Sequence, residues 1–175
     1  ATHWVEQEPK DVPALFYLSH IALKTHEYEL AAKTLDKILN IDPTADLEQI
    51  LAGIAPEQAQ DREVLLNALR ASKEKDNPSI LALIAGLEAQ DGLYEQALSN
   101  INRALRKRSK STSFILMKAN LLMALRDDTA TQKWFAKASR KNRNNLDVRL
   151  AEARYYIQIN QQEEALDKLE NIIKD

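Results

Sequence analysis

Cysteine is absent from the 175 residues, which excludes disulfides and thiolate metal sites while leaving the redox compartment open. Glycine occurs only as Gly53, Gly86 and Gly92, too few and too scattered to build a phosphate-cradling loop. No apolar run approaches the roughly 20 residues that cross a bilayer, and residues 1–10 have neither the basic start nor the apolar centre of a signal peptide. The chain therefore reads as soluble, with bacterial periplasm or cell envelope and cytoplasm all open. Histidine is limited to His3, His20 and His26, none with a second ligand at i+3 or i+4, so no metal site is expected. No Ser, His and acid stand in a nucleophile-elbow context. Asp127 and Asp128 could be paired catalytic carboxylates, but they fall in a predicted turn where Asp favours helix-start hydrogen bonding. These absences point away from an enzyme, a cofactor or a small-molecule substrate.

What is present forms helices. Apolar residues make up 45% and charged residues 29% of the chain, with Ala, Leu, Ile, Glu, Lys and Gln dominant. An internal repeat is the strongest signal. Leu15, Leu18, Ser19 and Ala22 precede Tyr28-Glu29-x-Ala31, Leu35, Ile38 and a closing Pro43. The order returns as Leu81, Ile84 and Ala85, the turn Asp91-Gly92, then Tyr94-Glu95-x-Ala97, Ile101 and Ala104. A step of about 34 residues carries Ala97 onto Thr131 and then Ala165. Around Thr131 stand Ile115, Ala119, Leu122, Phe135 and Ala138; around Ala165 stand Ala153, Tyr156, Leu169 and Ile172. This pattern resembles the tetratricopeptide repeat family.

The resemblance implies an all-α fold, a right-handed α-solenoid of helix-turn-helix repeats covering 1–175 as one array. Residues 1–9 would end a preceding repeat, with Trp4 where Ile38 stands. Repeats would follow at 12–45, 46–77, 78–111, 112–145 and 146–175. The second is divergent. Gly53 takes the small first-helix place, Leu65 and Leu69 face the core, Pro56 lies near the end of the first helix, and Ala31 to Ala97 is two residues short of two periods. A shortened first helix and a weak link in the array are expected there. Ser19, Gly53, Ala85, Ala119 and Ala153 fall where paired helices cross, so bulk at those places would overpack the contact. The chain begins without Met and carries apolar residues at both ends, Trp4 and Val5, and Leu166, Leu169, Ile172 and Ile173. A fragment of a longer array with exposed apolar termini, open to end-to-end association, is therefore expected.

Two surfaces are candidate binding sites. First helices of the family line a concave groove, and the period sets out three rows. Phe16, Ile50, Ala82, Leu116 and Leu150 form one; His20, Ile54, Gly86, Asn120 and Arg154 the next; Leu23, Glu57, Ala89, Met123 and Ile157 the third. The groove is largely apolar and smallest at Ala82, Gly86 and Ala89. Its plainer explanation is packing between repeats. The Lys and Asn set with which some members of the family clamp a terminal carboxylate is missing, so a peptide or helix with apolar anchors is the expected partner. The other surface is basic. Between Asn100 and Arg154, fourteen basic residues face four acidic ones. Arg103, Arg106, Lys107 and Lys110 share a helical face, and Lys137, Arg140 and Lys141 repeat part of it one period later. Since second helices of the family lie outside, this is an external ridge. Cations also favour helix C-termini, which accounts for it without a ligand. The leading expectation is a non-catalytic scaffold binding a protein segment in its groove. The alternative is an anionic-polymer or membrane-surface module of an envelope export or assembly system acting through the ridge.

Overall fold

A computed structural model describes residues 8–47 and 56–174. The expected first helix of the divergent repeat, with Ile50, Gly53 and Ile54, lies outside the described residues, as do Trp4 and Val5. The described residues are all-helical. Nine helices occur among them: α1 (Val12–Lys24), α2 (Tyr28–Ile41), α3 (Ala59–Arg70), α4 (Pro78–Gln90), α5 (Tyr94–Lys107), α6 (Thr112–Ala124), α7 (Asp128–Lys141), α8 (Leu146–Gln158) and α9 (Gln162–Lys174). None is long and apolar enough to cross a membrane.

The same local chemistry starts and stops the helices at each period. Asp11, Asn77, Ser111 and Asn145 precede α1, α4, α6 and α8, and each side chain accepts a hydrogen bond from an amide of the first turn, satisfying a donor the helix leaves unpaired. The same four helices each run 13 residues and end alike. His26, Gly92, Arg126 and Asn160 adopt left-handed φ values of 61°, 74°, 55° and 59°. The next amide then reaches five residues back, from Glu27 to the Ala22 carbonyl (2.8 Å), Leu93 to Glu88 (2.9 Å), Asp127 to Leu122 (3.2 Å) and Gln161 to Tyr156 (2.9 Å). Such a closure satisfies carbonyls at the helix end and reverses the chain within three residues. Each reversal leads directly into the paired helix.

The chain divides into two compact units, residues 1–104 and 105–175. In the first, α1 packs on α2, α2 on α3 and α3 on α4. Their core gathers Leu15, Ala31, Leu35, Ile38, Leu65, Leu69 and Ile80, all at most 1% exposed. Hydrogen bonds join residues one period apart: Asn77 Nδ2 donates to the Pro43 carbonyl at 3.1 Å and Ser79 Oγ to the Ala45 carbonyl at 2.9 Å. In the second unit α6 packs on α7, and α8 on α6, α7 and α9. Ala119, Phe135 and Tyr155 form its buried centre, with the Phe135 and Tyr155 rings 5.6 Å apart.

The small crossing residues Ser19, Ala85, Ala119 and Ala153 are all buried. Ser19 returns its hydroxyl to the Leu15 carbonyl (2.7 Å), and Thr131 does likewise to Asp127 (2.8 Å), so each polar side chain is accommodated inside. Leu65 and Leu69, expected to face the core, are both fully buried.

The left-handed closures give a measurable contrast. A Cβ at Gly92 would meet nothing within 4 Å, so Gly92→Ala should destabilise through the backbone alone, by about 1 kcal/mol. Arg126→Gly relieves the same strain while loosening the unfolded chain, and should change stability by well under that amount. Urea denaturation of the two variants checks the difference.

Candidate functional site

The groove rows run over both units, and each part is described within its own unit. In the first, Phe16 packs partly buried against the core and His20 is half-buried. Leu23 and Ala82 do not line a surface: they are 3% and 1% exposed, drawn into the core because the apolar faces of α1 and α4 are wider than a single stripe. Gly86 and Ala89 are half-buried, and Glu57 is exposed. In the second unit the first helices α6 and α8 lie against each other. Leu116, Met123 and Leu150 stay half-buried there, while Asn120 and Arg154 are exposed and Ile157 is 54% exposed. The apolar residues of this α6–α8 strip are thus only partly covered by their unit, beside an amide and a cation.

The ridge does not form one uniform set. Arg103 belongs to the first unit and is engaged in an ion pair with Asp76, with a further bond to Asn100 Oδ1 at 3.1 Å. Arg106, Lys107, Lys110, Lys137, Arg140 and Lys141 belong to the second unit and are exposed. Lys110, Arg140 and Lys141 line a hollow of about 720 Å³ together with Arg143. Arg143 escaped the sequence reading because it lies in a turn, off the helical faces from which the ridge was assembled. Another cation of the second unit, Lys118, lies over an aromatic ring. The Lys118 ammonium lies 4.2 Å from the Trp134 ring centre, and burial first, then the charge of Lys137, lowers its pKa. Trp134 is positioned by its indole N–H, which donates to the Ile115 carbonyl at 3.1 Å.

The polar residues considered for chemistry have other occupations. Asp127 caps α7, its Oδ1 accepting from the Ala130 amide at 2.9 Å. Asp128 accepts the Tyr155 hydroxyl at 3.1 Å. His26 Nδ1 lies 2.8 Å from the Tyr28 hydroxyl and 3.1 Å from Asp61 Oδ2. Among the described residues no three His, Asp or Glu side chains converge as metal ligands. Buried Glu88 accepts from Arg70 (3.0 Å) and Asn100 (2.8 Å), and buried Glu152 lies 3.7 Å from Lys168. Both carboxylates are thus held by partners, as burial requires.

No protein-family model matches the chain, and no curated protein sequence matches it.

Tyr155 locks α8 onto the start of α7 and thereby sets one wall of the α6–α8 strip. Burial first, then the hydrogen bond to Asp128, pushes its pKa up from 10.0 to about 12. The unfolded phenol ionises at its ordinary value while the folded one stays neutral. Its contribution to stability is therefore complete below pH 10 and is lost as pH rises toward 12. Thermal melts from pH 8 upward should show a steeper alkaline decline for the natural chain than for Tyr155→Phe.

Proposed function

We propose that the helix pairs stack as a right-handed α-solenoid of the tetratricopeptide type, and that the array is a non-catalytic scaffold which binds a segment of another protein on its first helices. The observation that carries this reading is the α6–α8 strip, where Leu116, Met123, Leu150 and Ile157 remain accessible beside Asn120 and Arg154. Apolar side chains on two neighbouring helices offer anchor sites to an extended or helical segment, and polar groups at the edge orient it. The reversal turns recurring at 34-residue steps from Gly92 to Arg126 to Asn160 support the repeat assignment.

A photo-crosslinking side chain placed at Asn120 should capture a protein partner in the source cells. Once that partner is identified, Leu150→Glu with Ile157→Glu should weaken its binding at least about tenfold, the loss expected from removing apolar anchors, with helicity unchanged by circular dichroism. Capture at Lys137 with none at Asn120 would shift the binding surface to the basic face and defeat this reading.

A further inference from the structure

We propose that the second unit also carries a binding site for a flexible polyanion with closely spaced phosphate or sulfate groups, seated in the hollow between the turns that follow α5 and α7. The hollow, of about 720 Å³, is lined by Lys110, Arg140, Lys141 and Arg143, with Asp147 the one carboxylate in its wall. Among the described residues none of these four cations is in an ion pair. Four converging positive charges against one carboxylate leave a net repulsion, and an incoming anion relieves it.

The turns are held in place by hydrogen bonds to neutral acceptors. Asn145 Nδ2 donates to Thr112 Oγ1 at 2.6 Å, and Lys141 Nζ to Ser109 Oγ at 3.4 Å, joining the two turns. Arg149 Nη1 donates to the Arg143 carbonyl at 3.2 Å. The cations thus stand on a fixed backbone, and Lys141, which spends one of its three donors on Ser109, keeps others for an anion.

Helix-end electrostatics explains only half of the set. Arg140 and Lys141 occupy the last turn of α7, where the helix dipole favours cations, but Lys110 and Arg143 lie in turns outside any helix. Nor does the repeated geometry call for positive charge at these places. One period before Lys110 stands Asp76, and one before Arg143 stands Ser109. Residues 105–175 hold fifteen basic and nine acidic residues, a net +6, whereas residues 1–104 hold nine and seventeen, a net −8. The unpaired cations therefore belong to the one unit whose field attracts anions.

The chemistry of the lining selects among anions. It contains no aromatic ring, so stacked bases are not what it reads. Its cations line an open depression between two turns, across which a flexible chain can lie and meet several of them at once. Exposed single pairs are worth little, so affinity must come from several contacts made together, as along a linear polyanion.

The test is fluorescence anisotropy of the whole chain with labelled inorganic polyphosphate and labelled heparin at low and moderate salt. Both probes should bind. Arg140→Glu with Arg143→Glu should reduce affinity at least about tenfold and lower the salt slope by about two. The matched control Lys133→Glu with Lys174→Glu, which changes net charge equally, should stay within about threefold of the natural chain. Arg140→Gln with Arg143→Gln should show an intermediate loss and guards against misfolding in the reversed variant. Absence of binding by the natural chain, or equal loss in the control, overturns the proposal. So does tighter site-dependent binding of duplex DNA or of vesicles rich in anionic lipid, which would assign the hollow to another class of partner.

Discussion

The reversal between paired helices is the constraint on which the rest of the structure depends. At His26, Gly92, Arg126 and Asn160 the backbone enters the left-handed region and the following amide closes five residues back. That closure fixes where the first helix stops and where its partner begins. Its equal placement gives four first helices of 13 residues each. Equal lengths and equal turns then present the same face each time, so Ser19, Ala85, Ala119 and Ala153 all come to rest inside. Only one of the four left-handed places is glycine. At the others a backbone cost is accepted because the helices on either side are held by burial and hydrogen bonding elsewhere.

Packing across successive hairpins follows from the same regularity. Phe135 of α7 meets Tyr155 of α8 in the second unit, and Leu35 of α2 joins the core with Leu65 and Leu69 of α3 in the first. Position by position, Leu169 of α9 corresponds to Phe135, and Ile173 to buried Leu39. Ile173 itself is 84% exposed and Leu166 60% exposed. An apolar face that is covered in earlier hairpins is therefore open on α9.

The two proposed binding surfaces use different physics. The α6–α8 strip offers apolar area, whose attraction is insensitive to salt, whereas the hollow between turns offers charge, whose attraction falls as salt rises. They can therefore respond independently to conditions. Both belong to the second unit, in which α8 contributes to the strip through Leu150 and Ile157, and to the hollow through its first residues, Leu146 and Asp147. Tyr155 on the same helix fastens it to Asp128 at the start of α7.

Helical content, the 34-residue step and the small buried places were legible in the sequence, because each depends on residue type at a local spacing. Ala, Leu, Glu and Lys favour helix, and the caps recur where Asp, Asn and Ser recur, while of the four left-handed turns only those at Gly92 and Asn160 carry a residue type that favours them. Side-chain accessibility was only partly legible. Leu23 and Ala82 sit in the predicted groove rows yet are buried, since a helix packed on more than one side hides residues that a single stripe would leave outside. The charge excess of the second half was readable by counting, but its arrangement was not. Arg103 is taken by Asp76, 27 residues away in sequence, and Arg143 joins Lys110 across 33 positions in one hollow. The sequence by itself determined the helices, their reversals and the sign of charge in each half, because those depend on short-range propensity and composition. Only the tertiary structure decided which cations are neutralised and which apolar residues stay accessible, because both depend on which distant side chains the packing brings within reach.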